Sequence, residues 1–537
     1  MALLAAIALL AACSESGPQL PFVPTPEPTP IPPREVVIQT TAYPDDTPLG
    51  GVTVTADGQT AVTDASGEAT LTLLPGTQVT ATLAGYDGAE GGVDPEGPVR
   101  LELRNSTATG TVTDANGEPL AGVRVFVDGT EQLTETDADG AYALTDVTEL
   151  ATLVFKMPGF RITEVATGTD LAIDVAMEPF ESRALYAPSA VFEAPGRLDE
   201  MLALLERTEA NALVIDVKET DGRLYYATDL ETAAEVGAIR EAPIFDLEEL
   251  LPMLRERGIY TIARMVVMKD NTSAVARPEL AVRNSATGEP WRDNIGGAWL
   301  DPSAPGVAEY TASIAGDLAD KGFDEVQLDY IRFYSDGPYD VADTNLPNTQ
   351  SFRLPAIQRV LRVVSSELAA SRTFLSADVF PIPFIVPDDQ GIGQRPEVFM
   401  PYVDYLSPMS YPSHYGPGVF GYDVPNNYPY EVVSSTLEIM NGQREGSRVV
   451  LRPWIQDFGY GAFAPYTAEQ VRAEMAAVAD QGAGGWMIWN ARALFTEAAL
   501  GAPREGEDAG AVVLEASDPT EPVTPSGSAA PSASASP

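Results

Sequence analysis

Gly322-Phe-Asp-Glu-Val-Gln-Leu-Asp-Tyr-Ile-Arg-Phe333 decides the fold. Before it, Val307 to Lys321 reads as an amphipathic helical stretch. Glu325 to Leu328 then reads as a short buried strand, and Asp329 follows it directly. A helix running into a strand that ends on a carboxylate is one step of a repeating β/α pattern. Outward in both directions the same step recurs between about Ser182 and Ala502. Strands are expected at Leu185 to Val191, Ala212 to Val217, Tyr260 to Val267, Glu325 to Leu328, Thr373 to Val379, Tyr405 to Met409, Val449 to Trp454 and Gly485 to Trp489. Helical stretches such as Leu198 to Thr208, Leu247 to Arg257 and Ala468 to Gln481 sit between them. Eight such units over this length predict a (β/α)8 TIM barrel at 181–502. A doubly wound open sheet is the rival, but no Gly-x-Gly-x-x-Gly turn follows any strand.

The chain ahead of the barrel repeats itself. Thr47-Pro-Leu-Gly-Gly-Val-Thr-Val54 with Thr63-Asp-Ala-Ser-Gly-Glu-Ala-Thr-Leu71 matches Glu118-Pro-Leu-Ala-Gly-Val-Arg-Val125 with Thr136-Asp-Ala-Asp-Gly-Ala-Tyr-Ala-Leu144. The copies close alike, on Ala84-Gly-Tyr86 and Pro158-Gly-Phe160. Alternating valines and Asp-x-x-Gly turns suit half-buried antiparallel strands, so 35–104 and 105–180 are read as two small all-β sandwiches serving as spacers, with weak sugar or partner binding as the alternative. Their pattern Gly110-Thr-Val-Thr-Asp114, Pro119-Leu120, Gly122-Val123 resembles the carboxypeptidase regulatory-like domains.

The termini are different in kind. The run Met1-Ala-Leu-Leu-Ala-Ala-Ile-Ala-Leu-Leu-Ala-Ala-Cys13 is apolar but short for a bilayer span, so 1–12 reads as a signal peptide. Leu10-Ala11-Ala12-Cys13 resembles the bacterial lipobox, which implies a lipid on Cys13 and a place on the extracellular face of the cell membrane. Residues 13–34 are proline-dense and predict an extended linker, and 503–537 drift into Glu, Asp, Ser, Ala and Pro and predict a disordered tail.

Composition removes several kinds of chemistry. The chain of 537 residues carries 78 acidic against 32 basic side chains, a formal charge of -46 that repels phosphate backbones and argues against nucleic acid as a partner. One Cys and one His leave no disulfide framework or His/Cys metal cluster, and no cofactor is expected. Carboxylates are the plentiful resource.

In such barrels the strand C-termini point into the mouth. Those positions hold Asp216 and Lys218, Arg264 with Lys269 and Asp270, Asp329, Asp378, Tyr411 with His414, Gln456 with Asp457, and Trp489 with Asn490. Acids and rings converging on one cleft suit a polysaccharide, and cleaving a glycosidic bond takes two carboxylates. Asp329 and Asp378, on consecutive strand ends, are the expected catalytic pair, with Arg332 near Asp329 as its counter-charge. Asp216, Asp301 and Asp457 are reserves. Tyr330, Arg332, Trp454 and Trp489 join Asp216, Lys218, Arg264, Asp301, Tyr411, His414, Gln456, Asp457 and Asn490 as expected substrate contacts.

Tyr260-Thr-Ile-Ala-Arg264, Pro278-Glu-Leu-Ala281, Trp299-Leu-Asp-Pro302, Gly322 to Phe333, Ser376-Ala-Asp378, Val403-Asp-Tyr-Leu-Ser-Pro-Met-Ser-Tyr-Pro-Ser-His-Tyr415, Arg452-Pro-Trp-Ile-Gln-Asp-Phe458 and Gly485-Trp-Met-Ile-Trp-Asn490, taken in order, resemble the bacterial putative glycosyl hydrolase domain family. The resemblance implies a glycoside-hydrolase barrel. A more distant likeness is to chitinase-type hydrolases, whose fourth strand reads Asp-x-x-Asp-x-Asp-x-Glu; Asp324, Gln327, Asp329 and Ile331 stand at those places, so the proton-donating Glu of that pattern is absent. The expectation is a cell-surface enzyme hydrolysing O-glycosidic bonds. The alternatives are a catalytically silent polysaccharide-binding barrel and a structural partner of the envelope.

Overall fold

A computed structural model describes residues 32–148, 150–168, 170–461, 463, 465–504 and 512–514. The expected signal peptide, Cys13, nearly all of the expected linker and the rest of the tail lie outside the described residues.

Residues up to Asn105 form one compact unit and those from Ser106 another. In the first, Arg34–Tyr43 pairs with Glu68–Leu73 and, in parallel, with Val99–Arg104, while Thr53–Ala56 pairs with Gln59–Val62 and Gln78–Thr82. Strict alternation along Glu68–Leu73 and Val99–Arg104 sends Leu71, Leu73, Leu101 and Leu103 into a core with Val36, Ile38, Val54 and Val79. Each Asp-x-x-Gly turn is built alike. Asp64 Oδ1 accepts from Ser66 and Glu68 N–H, as Asp137 Oδ1 does from Asp139 and Ala141 N–H. Gly67 and Gly140 both have positive φ, and a Cβ on either would lie 2.5 Å from the carbonyl oxygen of Thr40 or Val112. Only glycine fits there.

The second sandwich sets Ala141–Leu144, Ala108–Asp114 and Val175–Met177 against Leu133–Glu135, Arg124–Val127, Thr152–Lys156 and Thr163–Ala166. Val512–Leu514 adds a parallel strand to Thr163–Ala166, so this part of the tail pairs with the sheet instead of being disordered. As in the first copy, one pair inside the sandwich is parallel, Ala108–Asp114 with Val175–Met177, where an antiparallel set was expected.

Arg124–Val127 breaks the alternation, all four residues being buried. Val125 and Val127 face the sandwich core, while Arg124 and Phe126 are covered from outside. What covers that face is the barrel. Arg124 makes a buried ion pair with Asp404; Lys156 Nζ donates to the carbonyls of Leu368, Ser371 and Thr373 at 2.5–3.3 Å; Gly159 N–H donates to Tyr405 Oη at 2.9 Å. Arg372 bridges to Asp128 and Glu164. The second sandwich is therefore docked on the barrel and is not a spacer.

The barrel strands are β1 (Ser182–Ala187), β2 (Ala212–Lys218), β3 (Tyr260–Val266), β4 (Glu325–Asp329), β5 (Phe374–Val379), β6 (Tyr405–Pro408), β7 in two pieces (Val450–Leu451 and Trp454–Gln456) and β8 (Gly485–Trp489). All neighbours are parallel. Closure comes from β8, which pairs with β1 through Gly485 and Ser182 and with β7 through Met487 and Trp454. Pro453, which has no N–H to give, divides β7. The first strand ends earlier than expected: Pro188 stops it, and Val191 belongs to the helix Ser189–Glu193. Helix Val307–Lys321 ends on Gly322 at φ 96°. Ala468–Asp480 starts with a capping box between Thr467 and Gln470.

Candidate active site

Inward-facing residues alternate along a regular barrel strand. On β4 these are Glu325, Gln327 and Asp329. Arg452 pairs with Glu325, and Gln327 Nε2 reaches across to Met487 Sδ at 3.3 Å. Asp329 tops the row.

Arg264, at the end of β3, is 4% exposed and organises the mouth. Its Nη2 and Nε donate to Asp329 Oδ2 at 2.5 and 3.1 Å, and Nη1 donates to Asp216 Oδ1 at 2.5 Å and Glu219 Oε1 at 2.6 Å. One guanidinium thus serves three carboxylates. Asp216 also accepts from Tyr186 Oη at 2.5 Å, and burial pushes its carboxyl up to about 7 against the pull of Arg264. The counter-charge of Asp329 is Arg264 and not Arg332. Arg332 instead lies 4.8 Å from the Trp299 ring centre, 5.0 Å from Tyr330 and 5.2 Å from Phe380, and donates to Ser335 Oγ.

Asp378, one strand on, is 2% exposed and accepts from Trp454 Nε1 at 2.7 Å. Burial and then the negative charge of Asp329 hold its carboxyl well above the usual carboxylate range. The charge of Asp329 is therefore felt by Asp378 on the next strand. Burial and the charges of the same two acids raise the Tyr411 hydroxyl. Tyr330, directly after Asp329, has φ 51°, and its N–H donates to Asp329 Oδ1 at 2.6 Å. A non-glycine residue in that conformation costs about 1–3 kcal/mol, and here it fixes the carboxylate.

Trp489 is half-buried, stacked on Tyr186 at 4.0 Å and edge-on to Trp454 at 5.5 Å. His414 is exposed at the rim, its Nδ1 3.0 Å from Ser413 Oγ, and burial of part of its ring lowers its pKa.

Other expected contacts are framework. A bulge between Asp216 and Lys218 breaks the alternation that would have put both on one face. Lys218, 1% exposed, pairs with Asp270 at 2.9 Å and donates to the Val266 carbonyl. Lys269 pairs with Asp293 at 2.7 Å. Asp301, fully buried, accepts from Ser303 and Asn345. Asp457 accepts from Thr496 N–H and Oγ1, and Asn490 Nδ2 donates to the carbonyls of Asp457 and Leu494. Gln456 ties loops together.

Sequence reading missed Tyr186, Glu219 and Phe380. Tyr186 follows from alternation once β1 is given its true end. Glu219 has a partly exposed carboxylate, and no periodicity predicts which way it turns after a bulge.

The model of the putative glycosyl hydrolase domain family matches residues 184–495, more than half of the chain. The chain belongs to this family. The matched span starts inside β1, at Ala184, and runs through β8 into the loop that follows it. A carboxypeptidase regulatory-like domain matches 108–186, the second sandwich. A hypothetical protein from Ruminiclostridium thermocellum ATCC 27405 is 33% identical over 36% of this chain and 97% of its own, with a TM-score of 0.33. The glycoside hydrolase domain of PgaB (BpsB) from Bordetella bronchiseptica is 15% identical over 59% of this chain and 95% of its own, with a TM-score of 0.43. TonB-dependent receptor P39 of Formosa agariphila is 36% identical over 73 residues, 14% of this chain and 7% of the receptor. The chain thus spans under a tenth of that receptor's length.

Proposed function

We propose that this glycosyl hydrolase domain cleaves O-glycosidic bonds of a polysaccharide with Asp378 as proton donor and Asp329 as nucleophile or base. One observation carries the reading: two acids on adjacent strand ends have opposite surroundings, Asp329 in an arginine fork and Asp378 enclosed and pushed toward its protonated form. A carboxyl group held toward its protonated form beside a second, arginine-paired carboxylate suits the acid and base roles of glycoside cleavage. Trp454 occupies Asp378 Oδ1, which leaves Oδ2 to carry the proton. Trp489 and Tyr186 supply an aromatic floor.

The test is incubation of the full chain with bacterial wall and capsular glycans. New reducing ends are expected from at least one of them. The enclosure of Asp378, 2% exposed, favours a second reading, a barrel that retains glycan without cutting it. Glycan retention with no new reducing ends from any substrate would establish that alternative.

We also propose that the chain is held at the outer face of the cell membrane by a lipid on Cys13. Metabolic labelling with a fatty acid is expected to mark the wild type and not Cys13→Ser. Equal label on both would refute the anchor.

A further inference from the structure

The rim beside the carboxylates is aromatic. Tyr411 packs in one buried cluster with Trp454, whose indole N–H holds Asp378, and meets His414 edge-on with ring centres 5.5 Å apart and Phe458 at 5.5 Å. His414 lies 5.9 Å from Phe458 and 4.5 Å from Tyr460, tilted 36° to the tyrosine ring. Exposure rises along this row. Tyr411 is buried, Phe458 half-buried, His414 exposed and Tyr460 49% exposed. The row therefore leads from the acids outward to solvent.

Gln456 builds it. Its side chain is buried, its Oε1 accepts from Ser413 N–H at 3.1 Å, and its Nε2 donates to the Phe458 carbonyl at 2.9 Å. One side-chain amide thus joins the loop after β6 to the loop after β7 and sets His414 and Phe458 side by side. Large rings held in water next to a hydrogen-bonding imidazole match a pyranose, which offers an apolar face to stack on and hydroxyls at its edge.

We propose that Tyr460, His414 and Phe458 form a sugar subsite removed from the cleavage point, with Gln456 as its positioning residue, so that the barrel grips several consecutive sugars of one chain. This rests on the glycoside reading of Asp329 and Asp378.

His414 is the chain's one histidine, so its imidazole resonances are unambiguous in a histidine-labelled NMR spectrum. The probes are the dimer and hexamer of β-1,4-linked N-acetylglucosamine, added to full-length Asp378→Asn protein to prevent turnover. The hexamer is expected to shift the His414 resonances. Tyr460→Ala is expected to weaken the hexamer about tenfold, the loss of one stacking face, and to leave the dimer unchanged. Gln456→Leu, which keeps the bulk and removes the hydrogen bonds to Ser413 and Phe458 together with a long one to Asn426, should reproduce the hexamer loss. Hexamer binding with His414 unmoved, or equal weakening of both lengths by Tyr460→Ala, overturns the subsite and leaves the glycoside reading standing. Failure of both lengths to bind the protein that retains Tyr460 overturns the subsite for this sugar class and leaves the glycoside reading, which names no sugar, to the reducing-end test.

Discussion

Asp378→Asn is expected to lower turnover on the cleaved glycan by about 10²–10⁴-fold, the usual contribution of a positioned proton donor, while leaving the fold at least as stable as before. The side chain keeps its shape, and Trp454 Nε1 still finds an oxygen. Only the transferable proton is lost. The stability half of the result follows from the sign of the shift. Asp378 is raised in the folded protein by burial and by Asp329, above an unfolded value of about 3.9. Its favourable contribution is therefore complete below the unfolded value and lost as pH rises through the folded one. Asn has no such loss. Melting temperatures of wild type and variant should converge in acid and separate toward alkaline pH, with the variant the higher. Asp329→Asn should also inactivate, and by removing the neighbouring negative charge it should move the alkaline limb of any residual activity to lower pH. Wild-type turnover by Asp378→Asn would remove the residue from the mechanism.

Arg264→Met is expected to cost about 3–5 kcal/mol of stability as well as activity, because it strands charges in a buried site. Asp216, Glu219 and Asp329 all lean on this guanidinium. Lysine is no substitute, since one ammonium cannot reproduce a fork spread over three acids. The loss should shrink as pH falls from about 8 to about 5, because Asp216 already sits near 7 and takes up a proton once Arg264 is gone. Adding Asp216→Asn to Arg264→Met should recover part of the deficit at neutral pH. Calorimetric melting over this pH range reads both effects. An Arg264→Met protein with unchanged melting would mean that water, and not the arginine, solvates the three carboxylates.

The positions of Asp329 and Asp378 at adjacent strand ends were legible because each ends a short apolar run, and strand ends in a β/α barrel point into the mouth. Trp489 was legible for the same reason. Lys218 misled because the bulge after Asp216 turned it toward Asp270, and a bulge leaves no periodic trace. Asp301, Asp457 and Asn490 misled differently: near a mouth, an acid or amide that ties down a loop looks in sequence like one that meets substrate. Arg332 was nearer in sequence to Asp329 than Arg264, yet neighbouring strands bring Arg264 to it across 65 positions.

By itself the sequence determined the eight strands, the barrel they close and the two repeated sandwiches, because alternation, helix stops and glycine turns are local and act over a few residues. Tertiary structure alone decided that the second sandwich is fixed to the barrel, that Arg264 holds three acids and that Asp378 is enclosed beside Asp329. Those outcomes depend on which distant side chains share a desolvated space, and charge interactions are set by that distance and burial, which no short stretch of chain encodes.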